Sequence, residues 1–417
     1  MLERYYVRPD TIDRVKASWI GNLIEQYVGW LSENGYAART ILRRVPLLME
    51  FGEFAQQHGA VNTAELPEHL EAFSRHWFEK HGQGCKTDQA RKGVVEEAKN
   101  PVKQMLDIGI PGFEKRKQTP EPFGALAPNL FAYLREDRGL RPSTLVQYKS
   151  HLCSLENYLK KIDLKEMSSL SPVIVSGFIT QSNLCKTSLG LRCTVLRVFF
   201  RYLYSERILN KDLSGYMDAP RVYRLSSIPR SITWDEVNQM LEKVDRRTAL
   251  GKRDLAILLL LVTYGLRARE IAALTLEDMD WRKEKFRVPE RKAGHSTAYP
   301  LSPLVGQAIL DYLRHGRPQT SERFLFFGVK APYKPMTYAA VSGRAAYYLH
   351  KAGIPVSRPG SHTLRHTCVQ RLVNADFSLK TIGDYVGHRS EKSTEIYAKV
   401  AVEKLREIGS GVGEEIL

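Results

Sequence analysis

The sequence predicts a mainly α-helical, multidomain chain with a small antiparallel sheet in its last domain. Three observations predict it. Apolar residues recur at three- and four-residue steps through much of the chain, which places them on one face of a helix. Two stretches marked by Pro, Gly and charge interrupt that pattern and read as linkers. Two short runs, Phe286 to Pro289 and Ala298 to Leu301, lie either side of a polar turn (Ala293-Gly294-His295-Ser296) and read as strands.

The chain has 417 residues. At roughly 100–200 residues per domain, two or three domains are expected. Residues 1–115 form the first, a helical N-terminal domain in which Trp19, Leu23, Tyr27, Trp30 and Leu31 share an apolar face. Gly109-Ile110-Pro111-Gly112 breaks it, and a charged stretch from Glu114 to Pro122 follows as a linker. Residues 123–218 form a second helical domain. Arg141-Pro142-Ser143-Thr144 opens one of its helices, with Ser or Thr suited to the N-cap. Leu145, Tyr148, Leu152, Leu155 and Leu159 continue that helix as an apolar stripe, and a later helix carries Leu196, Phe199, Phe200, Leu203 and Tyr204. Trp30-Leu31-Ser32-Glu33-Asn34-Gly35-Tyr36 before Thr40 parallels Tyr133-Leu134-Arg135-Glu136-Asp137-Arg138-Gly139-Leu140 before Thr144. On that match the first domain reads as a distant copy of the second. Residues 219–231, with Pro220, Pro229, three arginines and no acid, form a basic linker. The last domain, 232–417, is mixed. It opens on the helix start Thr233-Trp234-Asp235-Glu236 and holds the short strands, and Leu255 to Val262 reads as a buried helix.

The composition excludes several classes. No run approaches the roughly 20 apolar residues of a membrane span, and the first residues lack the basic-then-apolar order of a secretory signal, so cytoplasmic residence is expected. Five cysteines without a C-x-x-C pair argue against a disulfide framework or a zinc knuckle. The net charge of +16 is uneven. Residues 1–122 are neutral, with 17 basic and 17 acidic side chains, whereas 123–230 and 231–417 carry +8 each. A basic surface attracts polyanions, so a nucleic-acid surface is expected in the last two domains.

The chemistry-bearing boxes fall in the last domain. They are Tyr264-Gly265-Leu266-Arg267-Ala268-Arg269-Glu270, then Lys292 in Glu290-Arg291-Lys292-Ala293-Gly294, then His362-Thr363-Leu364-Arg365-His366-Thr367. Val386-Gly387-His388 follows, with Tyr397 nine positions later in Ile396-Tyr397-Ala398-Lys399-Val400. In this order and spacing the chain resembles the phage-integrase, or tyrosine recombinase, family over roughly residues 123–410. The resemblance implies a helical core-binding (SAM-like) DNA-binding domain at 123–218 and an α+β catalytic domain at 232–417. It further implies that Lys292 protonates the departing 5′ oxygen and that His388 hydrogen-bonds the phosphate.

The residue types suit that chemistry. Cleaving a phosphodiester needs a nucleophile, charge stabilisation at the non-bridging oxygens and a proton for the leaving oxygen. Guanidinium groups match phosphate oxygens bidentately, which suits Arg267 and Arg365. A tyrosine with a pKa near 10 is only about 0.1% ionised at neutral pH, so Tyr397 needs a base, and His362 is placed for it. Glu270 buttresses Arg267. His366 lies four residues after His362, but Thr363 follows His362 where a zinc protease helix has Glu, and no third ligand box is present. No Walker-type loop and no paired carboxylates of a two-metal nuclease appear. A site without metal, ATP or other cofactor is therefore expected.

The expectation is a site-specific DNA recombinase, of the integrase or transposase type of a mobile element, acting through a 3′-phosphotyrosine bond. Its partners would be double-stranded DNA, three further copies in a homo-tetramer on two DNA sites, and accessory recombinases or DNA-bending proteins. The resemblance implies that the tail bearing Val402, Leu405 and Ile408 packs on a neighbouring protomer. The neutral N-terminal domain reads as a helical extension that contacts neighbouring protomers or touches DNA through Arg39, Arg43 and Arg44. A type IB topoisomerase-like relaxing enzyme, a Xer-like dimer resolvase and an inactive DNA-binding regulator remain open alternatives.

Overall fold

A computed structural model describes residues 1–113, 121–164, 166–221, 231–289 and 296–387. The described residues are mostly helical and hold one three-stranded antiparallel sheet. The chain divides into two compact units, residues 114–227 and the combination of 1–113 with 228–417.

In the larger unit the first five helices are α1 (Pro9–Ala17), α2 (Gly21–Glu33), α3 (Ala38–Gln57), α4 (Leu66–His81) and α5 (Asp88–Gly109). They enclose a core of their own around Tyr27, Leu31, Phe51 and Phe73. Leu23, Tyr27 and Leu31 of the expected α2 face are buried, while Trp19 and Trp30 pack at the margin. Gly35 adopts the left-handed region at φ 72°, and a Cβ there would come within 2.8 Å of the Tyr333 ring. The N-terminal helices thus touch the C-terminal part of the same unit.

The smaller unit contains α6 (Leu130–Glu136), α7 (Pro142–Lys161), α8 (Pro172–Thr180) and α9 (Lys186–Ser205) around a separate core. One local expectation is corrected. Arg141 is the N-cap of α7 and offers no side-chain cap; Pro142 takes the first helical position, so Ser143 and Thr144 lie inside the first turn. Pro suits that position because its missing N–H would be unpaired there anyway. Tyr204 is exposed, unlike its α9 neighbours Phe199, Phe200 and Leu203.

The C-terminal part begins with α10 (Trp234–Glu242), whose start at Thr233 carries a capping box with Glu236. Next comes α11 (Ala249–Tyr264), apolar nearly all round and buried from Ala256 to Val262. After α12 (Ala268–Ala273) the chain forms β1 (Met279–Asp280), β2 (Lys285–Val288) and β3 (Thr297–Pro300). The strands pair in the order β1-β2-β3, with Phe286 opposite Tyr299. The first, two-residue strand had no signal in the sequence. Among the described residues four helices follow: α13 (Pro303–His315), α14 (Tyr338–Lys351), α15 (Ser361–Asn374) and α16 (Leu379–Val386). Buried Asp254 on α11 accepts from Arg253, Arg344 and Tyr348, which ties α11 to α14.

Candidate active site

Three of the six candidate residues lie among the described residues: Arg267, His362 and Arg365. Lys292, His388 and Tyr397 lie outside them.

The end of α11 positions Arg267. Gly265 closes that helix in the left-handed region, at φ 59° and ψ 30°, and its N–H donates to the Leu261 carbonyl. A Cβ at Gly265 would sit 3.2 Å from both Cys368 Sγ and Val386 Cγ1, so the turn is tight as well as left-handed. The chain then extends through Leu266 and Arg267 and starts α12. Glu270, in the first turn of α12, reaches back. One carboxylate oxygen accepts from the Arg267 backbone N–H at 2.8 Å and the other from Arg267 Nη1 at 2.7 Å. The Glu270 side chain is only 4% exposed, so this pair is largely shielded from water. Arg267 Nη2 donates to the Gly387 carbonyl at 2.8 Å.

Helix α15 carries the other two. Arg365 is buried and points inward, donating through Nη1 to the Gly265 carbonyl and through Nη2 to the Val386 carbonyl at 2.7 Å. Cys368, one turn on, donates to the Thr263 carbonyl and keeps α15 against the end of α11. His362 stands in the first turn of α15 and keeps contact with solvent although the protein partly surrounds it. Partial burial against the protein, and then the charges of Arg365 and Arg267, lower its pKa below the usual imidazole value. A neutral imidazole at neutral pH follows, the form a proton acceptor needs. His366 is half-buried on the same helix, its ring centre 6.4 Å from that of His362.

The last turn of α16 links these groups. A helix end leaves carbonyls without intrahelical donors. Here three successive carbonyls accept from side chains: Tyr385 from Tyr299 Oη, Val386 from Arg365, and Gly387 from Arg267. Their negative dipole end favours cations. Tyr385 Oη donates in turn to the Thr263 carbonyl at 3.2 Å. Tyr264 Oη donates to Pro300 O and accepts from Ser302 N–H, each at 2.8 Å. Tyr299 and Tyr385 belong to none of the chemistry-bearing boxes of the sequence. The only signal was their nearness to the Lys292 and His388 boxes.

The chain matches known proteins throughout. Residues 230–404 match the model for the phage integrase family, and residues 129–207 match its N-terminal SAM-like domain. The candidate integrase/recombinase y4rA of Sinorhizobium fredii is 27% identical over 97% of both chains. Another from the same organism, y4gC, is 43% identical over 43% of this chain and 94% of its own. Tyrosine recombinase XerD of Vibrio vulnificus is 28% identical over 66% of this chain and 90% of its own. Among solved structures, XerH site-specific recombinase bound to a palindromic difH substrate superposes with a TM-score of 0.54. It is 17% identical and covers 84% of this chain and 96% of its own. A lambda integrase dimer bound to a core site gives a TM-score of 0.51 at 17% identity, over 74% of this chain and 86% of its own.

Proposed function

The chain belongs to the phage integrase family of tyrosine site-specific recombinases, and from that premise we propose that it cuts and rejoins double-stranded DNA through Tyr397. Arg267 and Arg365 grip the non-bridging oxygens of the scissile phosphate. His362 takes the phenolic proton as Tyr397 Oη attacks phosphorus. A 3′-phosphotyrosine bond forms, the bond to the 5′ oxygen breaks, and Lys292 protonates that oxygen. His388 hydrogen-bonds the phosphate. A 5′ hydroxyl from the partner strand then attacks the phosphotyrosine and releases Tyr397. The phosphotyrosine bond conserves the energy of the backbone, so the cycle uses neither ATP nor metal.

The observation that carries this reading is the convergence of Arg267 and Arg365 on neighbouring carbonyls beside an imidazole whose pKa is lowered by burial and then by the two arginines. Two guanidinium groups and a proton acceptor, brought together from positions 98 residues apart, suit a phosphoryl group. The enzyme would work in the cytoplasm as a homo-tetramer holding two DNA sites, with accessory recombinases or DNA-bending proteins as further partners.

An integrase or transposase of a mobile element is the role we favour, because likeness to y4rA runs through the N-terminal helices as well. A Xer-like resolvase is the second reading, favoured by likeness to XerD over most of that protein.

Covalent trapping tests the chemistry. Nicked duplexes from DNA flanking the chain's own gene are incubated with protein in EDTA and resolved on denaturing gels. A DNA-linked band that disappears in Tyr397→Phe and maps to the Tyr397 peptide is the expected result. No band from protein that binds the same duplex would overturn the proposal. Relaxation of supercoiled plasmid lacking any such site would favour a topoisomerase instead.

A further inference from the structure

Three tyrosines close a loop of hydrogen bonds behind the arginine pair. From β3, Tyr299 Oη reaches the Tyr385 carbonyl in the last turn of α16. From α16, Tyr385 Oη reaches the Thr263 carbonyl near the end of α11. From α11, Tyr264 Oη returns to β3 at Pro300 O and also accepts from Ser302 N–H. The rings pack together as well. Tyr299 stands edge-on to Tyr385 with centres 5.3 Å apart, and Tyr264 lies 5.4 Å from Tyr299. Tyr264 and Tyr299 are almost fully buried, at 3% and 2% exposure, so their hydroxyls depend on these protein partners.

The placement matters because of what lies next to each bond. The carbonyl that Tyr299 holds is the first of three in a row, and the next two hold Arg365 and Arg267. Gly265, whose carbonyl is the other Arg365 partner, directly follows Tyr264. The tyrosines therefore set the end of α16 against the end of α11, and the arginines take their aim from those two ends.

We propose that Tyr299, Tyr385 and Tyr264 are positioning residues for strand cleavage, holding the helix-end carbonyls that direct Arg267 and Arg365 at the scissile phosphate. None of the three touches DNA in this role. The inference rests on the proposed assignment of the arginines to the non-bridging phosphate oxygens. A misplacement of about 1 Å at a reacting group can cost roughly 100-fold in rate, so loss of one hydroxyl is enough to be read in kinetics.

The test compares two substrates. One is a nicked duplex that the wild-type chain cleaves; the other carries a methylphosphonate at the cleaved position, which removes the negative charge that the arginines neutralise. Tyr299→Phe and Tyr385→Phe keep the rings and lose only the hydroxyls, and Arg365→Ala serves as the reference. On the phosphodiester, each tyrosine variant is expected to cleave roughly 10- to 100-fold more slowly. On the methylphosphonate, most of that deficit should vanish, as it should for Arg365→Ala. Unchanged cleavage by both tyrosine variants, or equal slowing on both substrates, would overturn the inference. If Arg365→Ala is itself slowed equally on both, the arginine assignment fails, and that outcome is distinct from a failure confined to the tyrosines. A thermal melt of each variant separates loss of fold from loss of aim.

Discussion

Arg365 Nη2 lies 2.7 Å from the carbonyl oxygen of Val386, across 21 residues of sequence. The bond joins a side chain of α15 to the last residue of α16. Together with the Arg267 bond to Gly387, it ties the end of α16 to the same guanidinium groups that are proposed to bind phosphate.

Glu270→Gln should weaken both the fold and the reaction. The carboxylate holds the Arg267 backbone N–H and Nη1 together. A hydrogen bond between charged partners contributes about 2 kcal/mol, and the 19% exposure of the Arg267 side chain argues against a larger figure. Thermal unfolding should shift down by roughly 4–8 °C, and DNA cleavage should slow by about 10-fold or more. An unchanged melting curve with unchanged cleavage would remove Glu270 from the support of Arg267.

Gly265→Ala should cost about 2 kcal/mol, from left-handed strain and from crowding against Cys368 and Val386. Gly59→Ala is the matched control, since Gly59 also has positive φ but nothing within 4 Å of the added carbon. The control should lose only the strain, about 1 kcal/mol. Equal losses in denaturant titrations would show that the Gly265 turn is not crowded.

The cleavage rate should fall on acidification only below pH 6.5. Burial and the two arginines lower the His362 pKa from that value, so the neutral base persists to lower pH. His362→Gln should flatten this acidic limb in a pH–rate profile. The same shift has a stability consequence. Below pH 6.5 the unfolded chain binds the proton more readily than the folded one, so His362 makes folding less favourable as pH drops through that window. A limb centred above 6.5 would contradict the electrostatics of the site.

Thiol labelling should follow burial. Cys185 is exposed and should react first with a maleimide at pH 8, as read by peptide mapping. Cys368 is buried, and burial pushes its thiol up to about 12, so thiolate is scarce. It should label only after denaturation. Rapid labelling of Cys368 in the folded chain would mean that α15 leaves α11 readily.

Much of the architecture was legible in local patterns. The apolar run Leu255 to Val262 marked a buried helix, Thr233 to Glu236 marked a helix start, and two short runs either side of a polar turn marked the paired strands. Such signals arise between residues a few positions apart, where helix and strand geometry acts directly. Smaller features escaped. β1 is two residues long, too short for alternation to register, and the helix start at Pro142 needed no capping side chain.

At the site, the resemblance of their boxes to the tyrosine recombinase family selected Arg267, His362 and Arg365 as candidates, and their side-chain types suit phosphate transfer. What holds them was decided by tertiary structure. The partners of Arg365 are backbone carbonyls at Gly265 and Val386, and that of Tyr299 is the carbonyl of Tyr385. Every residue carries a carbonyl, so nothing in the sequence distinguishes the ones that will matter. Only the packing of α11, α15 and α16 brings the ends of two helices, with carbonyls left over by helical hydrogen bonding, within reach of those donors.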